Sequence, residues 1–339
     1  DEEVLEFSES ISIDHLLFDC DIRVCIAHAE MLSECKIITN KESKTLVKGL
    51  KKLQEKYDNG KLSLSIKYED VHMNIEQALV KEIGELGKKI HMGRSRNDLV
   101  ATDFRLYLRD CSDLILNQIR DTRYALAMNA NANSHVIFPG YTHLQLAQPV
   151  TFGHHLLAWH EMLARDENRI VQMQDRLNVL PLGSAALSGT PYKIDRKLVA
   201  KKLGFKTISN NSMDSVSDRD FVCDFAYACS MIMVHLSRMS EELVYWMNTH
   251  IKLVDIDEEF INVCEEGTID AISCVASDPA IVGAKIVDNK IVVSLIADEV
   301  PEFVVVKLSG IREGRLNKRF VKFTEEEALR NNNFWGSWK

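Results

Sequence analysis

The sequence predicts a mainly α-helical fold, in which a bundle of long helices precedes a smaller β-rich or α+β segment. Three long stretches carry apolar residues at helical spacing, and only 6 of the 339 residues are Pro, so few positions interrupt a helix. After about residue 251, short runs rich in Val and Ile replace this pattern, as is typical of strands. We therefore predict an N-terminal helical domain, a central long-helix bundle and a C-terminal β-rich segment of unknown role, at residues 1–97, 98–252 and 253–339.

The helical part contains two shorter and three longer helix candidates. The shorter ones cover residues 13–36 and, with weaker periodicity, 41–56. The longer ones cover residues 98–130, 150–178 and 217–250. At a rise of 1.5 Å per residue, each longer helix spans roughly 40–50 Å, which is more than a compact small domain needs. The sequence therefore indicates an elongated bundle.

Two of the long helices begin with the spacing of a capping box, in which two residues satisfy each other's free backbone N–H groups. Ser95 and Asp98 have this spacing, and so do Ser217 and Asp220. The helix predicted at 217–250 is apolar on nearly every face. We therefore expect other helices to surround it, within the bundle or at an interface between subunits.

Four runs rich in Val and Ile predict strands in the C-terminal segment. They read DAISCVA, AIVGAKIV, KIVVSLIA and EFVVVKLSG. Asp288 and Asn289 separate the second run from the third and favour a hairpin turn there. We expect at least two paired strands within residues 270–310.

The composition argues against several classes of function. The formal net charge is -9 at pH 7, which disfavours a nucleic-acid partner. No apolar run reaches the roughly 18 residues that a membrane span needs, and no signal peptide opens the chain. The 8 Cys are scattered without a CxxC pair, which favours reduced thiols over a disulfide framework. We therefore expect a cytoplasmic protein without nucleic-acid or membrane partners.

Five polar segments interrupt the helical part, each at the end of a predicted helix. They cover residues 68–76, 91–98, 140–145, 181–191 and 210–220. Free backbone N–H groups at helix ends favour anions. In the second segment, Arg94, Arg96 and Asn97 suit a carboxylate, because Arg offers a bidentate pair of donors. Any single segment is more simply interpreted as a helix cap joined to a turn, but five of them together indicate a binding site.

The five segments belong to stretches that read EDVHMNIE, HMGRSRNDLVATDFRLYLRD, PGYTHLQLAQPV, LPLGSAALSGTPYKIDR and NSMDSVSDRDFVCDF. In order and spacing, from about residue 5 to 250, they resemble the argininosuccinate lyases of the fumarase/aspartase superfamily. The resemblance implies a long-helix bundle of that type and a homotetramer with shared sites. It also implies β-elimination of argininosuccinate to arginine and fumarate, without a metal or an organic cofactor.

The implied reaction requires a base, an acid for the leaving nitrogen, and hydrogen-bond donors around two carboxylates. The resemblance makes the His of the THLQ stretch the acid-side catalytic residue. It implies substrate binding by a Ser near the N-terminus, by the Asn of the second segment and by the Thr before the His, with less certain neighbours. His72 either helps to shape the site or is a structural hydrogen-bonding residue. The residues concerned are His143 for catalysis, and Ser10, Asn97, Thr142, Arg96, Gln145 and His72 for the substrate.

The remaining histidines do not predict a metal site. His154 and His155 are adjacent and therefore point to different faces of a helix, whereas metal ligands must converge. His160 on the same predicted helix is interpreted in the same way.

Two departures from the family pattern keep a second hypothesis open. The family's Gly-Ser-Ser loop, which carries the base, has no counterpart between residues 251 and 339, and Leu146 stands where the family usually has Arg. A catalytically inactive structural or regulatory homologue, like the lens delta-crystallins, is the alternative to an enzyme. The retained Asn97, Thr142 and His143 favour the enzyme.

Overall fold

The computed structural model describes residues 7–248 and 250–254, together with the backbone of five strands between residues 268 and 306. The predicted fold class is confirmed, since long helices dominate and strands form the C-terminal segment. The chain forms two compact units, residues 1–230 and 231–339. The domain boundaries predicted after residues 97 and 252 stay predictions.

Four helices form the first part of the N-terminal unit. Short 3-10 turns at His15–Leu17, Ile66–Tyr68 and Gly84–His91 separate or extend them. Their apolar faces meet in one core, in which Phe18, Leu46 and Leu79 are fully buried. The helices are α1 (Ile11–Asp14), α2 (Phe18–Glu34), α3 (Asn40–Asp58) and α4 (Val71–Ile83).

Two long antiparallel helices follow, α5 (Arg96–Ala132) and α6 (Phe152–Leu177). The pairing of Asp113 with Gln174, and of Arg120 with Glu167, fixes their antiparallel register. As predicted, the capping box of Ser95 and Asp98 starts α5. The prediction of a helix over 150–178 is wrong at residues 150 and 151, which belong to a strand.

An exposed β-hairpin connects α5 to α6. Its strands are β1 (Ile137–Thr142) and β2 (Gln145–Thr151), and His143 and Leu144 form the two-residue turn with φ of 51° and 58°. Positive φ at both residues gives the twist that a tight hairpin requires. The sequence did not predict these strands, because β2 is mostly exposed, β1 is mostly half-buried, and little apolar alternation marks either strand.

Shorter elements complete the N-terminal unit before the last long helix. Strands β3 (Val179–Leu180) and β4 (Thr207–Ile208) pair in parallel on either side of α7 (Arg196–Leu203). They are followed by α8 (Ser212–Ser217) and α9 (Asp220–Trp246).

The capping box predicted for Ser217 and Asp220 is wrong. Ser217 ends α8, and the Asp220 N–H donates instead to the Asp218 carboxylate at 2.8 Å. Asp218 therefore competes successfully for the free N–H group at the start of α9, because an Asp side chain accepts from the N–H two residues on.

The apolar helix α9 corrects the expectation that no segment matches a membrane span. Its most apolar 18-residue window has a mean hydropathy of 1.2, and only 11% of that window is buried within this chain. By length and composition alone it could cross a membrane, but a helix at a subunit interface passes the same test. Among the residues that the structure describes, the helices predicted to surround 217–250 bury only this small part of the window.

Five strands are described in the C-terminal segment. The hairpin of β7 and β8 is antiparallel, β5 pairs with β7, and β6 pairs with β9. The prediction of at least two paired strands within 270–310 is confirmed, while the predicted turn at Asp288 and Asn289 lies outside the described residues. The strands are β5 (Thr268–Ile269), β6 (Cys274–Ala276), β7 (Ile281–Val287), β8 (Lys290–Ile296) and β9 (Val304–Val306).

Candidate active site

The start of α5 presents two of the predicted site residues next to each other. Arg96 is partly exposed, and its Nη1 lies 3.1 Å from the Asp70 carboxylate, which caps α4. Asn97 is exposed, and its Nδ2 donates to the Ala186 carbonyl at 2.9 Å. A fixed cation and an amide therefore lie together at a helix N-terminus, where an anion is favoured. We call this place, formed by Arg96 and Asn97 at the start of α5, the open corner.

Ser10 reaches the same corner through the chain segment before α4. Its backbone N–H donates to the Glu69 carbonyl at 2.9 Å, and its Oγ donates to the Asp14 carboxylate at 2.7 Å. Asp14 also accepts from the Val71 N–H at 3.1 Å, and burial raises the pKa of its carboxyl. The structure thus brings Ser10 and Arg96 together on either side of residues 69–71, and it adds Asp14, which the sequence analysis missed.

Strained backbone borders this corner on two sides. Glu69 has φ 63° and ψ -61°, and Ala185 has φ 50°, although neither is Gly. Such conformations cost about 1–3 kcal/mol each and tend to persist where function requires them. Glu69 precedes the partner of Arg96, and Ala185 precedes the carbonyl that holds Asn97, so both strained residues flank predicted site residues.

Asp98 holds the loop that contains Ala185 against the start of α5. Its fully buried carboxylate accepts from the backbone N–H groups of Ser95 at 2.9 Å, Gly183 at 2.9 Å and Ala185 at 2.8 Å. Burial raises the pKa of this carboxyl, while the three N–H donors act in the opposite direction. The sequence predicted Asp98 only as a cap, because the loop lies more than eighty residues away along the chain.

His72 is buried and pairs with the carboxylates of two other helices. Its Nδ1 pairs with Asp21 Oδ2 of α2 and lies 3.6 Å from Asp103 Oδ2 of α5. Despite the penalty of burial, Asp21 and Asp103 raise the pKa of His72 to about 9. The imidazole therefore faces the protein interior as a cation, which matches the structural alternative left open by the sequence.

Asp21, His72 and Asp103 offer ligand atoms within 4.8 Å of one another, a spacing that a metal ion could use. The charges argue against this, since the His72 imidazolium already balances the carboxylate of Asp21. The guanidinium of Arg94 lies close to the same carboxylate and stabilises its negative charge. A metal ion here would add a third positive group beside these two cations in a water-poor interior.

Arg94 does not take the role that the sequence suggested. Its guanidinium is turned into the protein, where Nη2 donates to Cys25 Sγ at 3.1 Å. Nε and Nη1 are buried without a hydrogen-bond partner among the described residues. Of the three residues expected to bind a carboxylate, only Arg96 and Asn97 face the open corner.

The other predicted residues lie on the exposed hairpin. Thr142, His143 and Gln145 surround its turn and are exposed. From Asn97 to its end at Ala132, helix α5 spans about 53 Å, whereas the extended chain from Ala132 to His143 returns by about 40 Å at most. His143 and Asn97 therefore cannot share a site within one chain.

The histidines of α6 are separated as predicted. His154 is exposed, while His155 lies edge-on to Trp159 with ring centroids 5.5 Å apart. His160 Nδ1 lies 3.4 Å from Glu161. Among the described residues, the groups with metal-ligand spacing do not include these three histidines.

A family model described as lyase matches residues 1–260. The chain belongs to the lyase family. An argininosuccinate lyase from Pseudomonas syringae pv. tomato is 51% identical over 257 residues, which is 76% of this chain and 55% of that protein. The chain thus spans about half the length of the curated relatives that it matches. The family resemblance inferred from the five polar segments is confirmed.

Solved structures agree with this membership of the lyase family. A crystal structure of EDDS lyase in complex with formate is 31% identical, with a TM-score of 0.67 over 76% of this chain and 50% of that chain. A fumarate lyase:delta crystallin from Brucella melitensis bound to cobalt is 17% identical, with a TM-score of 0.60 over 70% of this chain and 57% of that chain, and shows the fold alone.

Proposed function

We propose that the chain forms part of an argininosuccinate lyase, which eliminates fumarate from argininosuccinate and releases arginine. The observation that carries this proposal is the 51% identity to an argininosuccinate lyase over 257 residues. The family match over residues 1–260 includes all five polar segments. The proposed enzyme is a cytoplasmic carbon–nitrogen lyase of arginine biosynthesis, without nucleic-acid or membrane partners.

The corner at the start of α5 suits the carboxylate end of the substrate. In the elimination, a base removes a proton from carbon, the C–N bond breaks and the leaving nitrogen gains a proton. When the proton leaves, negative charge develops on the neighbouring carboxylate until the C–N bond breaks, and fixed donors stabilise that charge. Asn97 and Arg96 offer such donors, and Ser10 is hydrogen-bonded to the carbonyl of Glu69, next to the Asp70 that pairs with Arg96. No metal ion or organic cofactor is part of this proposal.

The hairpin residues supply the acid side. His143 donates the proton to the leaving nitrogen, Thr142 binds a carboxylate, and Gln145 lies next to them on the same turn. Since α5 separates them from Asn97 within one chain, we propose that the hairpin of one subunit completes the corner of another. A homotetramer with shared sites provides this arrangement.

The experiment is a fumarate-absorbance assay on the purified full chain with argininosuccinate. We expect turnover above background, and we expect His143→Asn to abolish it while the helical circular-dichroism signal stays unchanged. His135→Asn, at an exposed position before the hairpin, is the matched control and keeps the wild-type rate.

The assay also separates the enzyme from the inactive alternative. Thermal protection by argininosuccinate without fumarate release would replace the enzyme with a binding homologue. If neither turnover nor protection occurs, the proposed function is wrong for this chain.

A further inference from the structure

Helix α2 carries a polar face inside the hydrophobic core. Asp21, Cys25 and His28 follow one another at spacings of four and three residues, which places them on one side of the helix. Each of the three is only 1% exposed. A carboxylate, a thiol and an imidazole in such a place lose their hydration, so each needs a specific protein partner.

The partners lie in the segment that leads into α5. Cys25 Sγ lies 2.9 Å from Asp21 Oδ1 and accepts from Arg94 Nη2 at 3.1 Å. His28 Nε2 lies 2.8 Å from the Met92 carbonyl. Burial and the charge of Arg94 lower the pKa of His28 to about 3, so its ring is neutral and Nε2–H is the donor. The α2 face thus holds residues 92 and 94, which lie four and two positions before Arg96.

The same face also holds the start of α4. Asp21 Oδ2 pairs with His72 Nδ1, and His72 lies two residues after Asp70. Asp70 in turn pairs with Arg96. Both chain segments that meet at Arg96 are therefore anchored on one buried surface, from two directions.

We propose that Asp21, Cys25 and His28 are positioning residues, which fix the segment 92–97 so that Arg96 and Asn97 face the substrate carboxylate. This inference rests on the proposed function for its substrate, but not for the anchoring itself. None of the three residues touches the open corner, so they act through the Met92 carbonyl, Arg94 and His72. Apolar side chains of similar volume at these three positions would fill the core equally well. They would not make the directed contacts that fix the orientation of the segment.

The anchoring is tested by hydrogen–deuterium exchange of the full chain without ligand. Cys25→Ala and His28→Leu each remove one contact to the segment, and we expect exchange in residues 92–98 to rise about tenfold. His28→Gln keeps a donor near the position of Nε2 and should restore slow exchange. Cys20→Ala is the matched control, since Cys20 is 3% exposed on the same helix and outside the polar face. Unchanged exchange at 92–98 in both variants would overturn the anchoring.

The positioning is tested with argininosuccinate, by KM, kcat and thermal protection. We expect Cys25→Ala and His28→Leu to raise KM about tenfold at a Tm matched to that of Cys20→Ala. We expect His28→Gln to return KM most of the way to the wild-type value. If exchange rises but KM and protection stay at wild-type values, the face is structural and the positioning role is wrong. If the wild-type chain shows neither turnover nor protection, the proposed function fails and the positioning role fails with it, while exchange still decides the anchoring.

Discussion

At the scale of single residues, the corner at the start of α5 is built from side chains whose partners come from distant parts of the chain. Arg96 and Asn97 face the open corner as the helix-end argument predicted, because their exposure follows from their place at the start of α5. His72 could not be assigned from sequence, since its partner Asp21 lies 51 residues away. The prediction for Arg94 was wrong for a related reason, because its local sequence does not show that the side chain bonds to Cys25, 69 residues away.

The buried His72 predicts a particular dependence of stability on pH. Its folded pKa of about 9 lies above the ordinary value of 6.5, so its contribution is full below pH 6.5 and is lost as the pH rises towards 9. We expect the difference in unfolding free energy between the wild type and His72→Asn to shrink over that window. Denaturant titrations at pH 6, 7.5 and 9 measure it, and a constant difference would show that folding leaves the pKa of His72 unchanged.

At the scale of elements, prediction was accurate where several local signals agreed. Helix α5 extends only two residues beyond each end of its predicted range, since a capping box starts it and no Gly or Pro interrupts it. The hairpin was missed because β2 is mostly exposed and lacks an apolar face, and because the family resemblance indicated chemistry at that position, not conformation. The start of α9 was misplaced since Asp218 is an equally good cap.

The close packing between the end of α5 and the start of α6 predicts that a larger residue at Gly153 destabilises the fold. A Cβ placed there would lie 2.3 Å from the Ala130 carbonyl oxygen and 3.1 Å from Ser134 Cα, and both belong to backbone that cannot rotate away. Gly153→Ala should therefore cost roughly 2 kcal/mol or more of unfolding free energy, in spite of the better helix propensity of Ala. Ala158→Ser, on an exposed face of the same helix, should change it by less than about 0.5 kcal/mol. Equal unfolding free energies for the two variants would mean that the helix ends separate easily.

At the scale of the whole molecule, the proposed assembly would account both for the exposed apolar residues of α9 and for the separation of His143 from Asn97. Helix α9 exposes Tyr227, Val234 and Val244, each more than two-fifths exposed, although it is the most apolar of the long helices. Exposed apolar faces of this kind mark interfaces. A second subunit packed against α9 would cover these exposed apolar residues. The same assembly would bring the hairpin of one subunit to the open corner of another.

The apolar face predicts how assembly responds to charge. Val234→Lys places an ammonium in the middle of α9, where burial between subunits would be costly. We expect the variant to shift towards monomers in sedimentation velocity at micromolar concentration. Ile66→Lys changes an equally exposed apolar residue on a 3-10 turn and should leave the assembly intact. Identical sedimentation of both variants would place the interface elsewhere.

The proposed division of the site between subunits predicts that two impaired variants restore each other. Asn97→Ala should weaken substrate binding by about 1–3 kcal/mol, and His143→Asn should remove the acid, so each homo-oligomer is impaired. If a site takes Asn97 from one subunit and His143 from another, random mixing gives about a quarter of the sites both native residues. Refolding the two variants together should therefore recover roughly a quarter of the wild-type lyase rate, in contrast to mixing them without dissociation. Because α5 holds the two residues far apart in every single chain, recovery can arise only from sites built between subunits. A mixture whose lyase rate stays at the average of its two impaired components would assign the two residues to different sites.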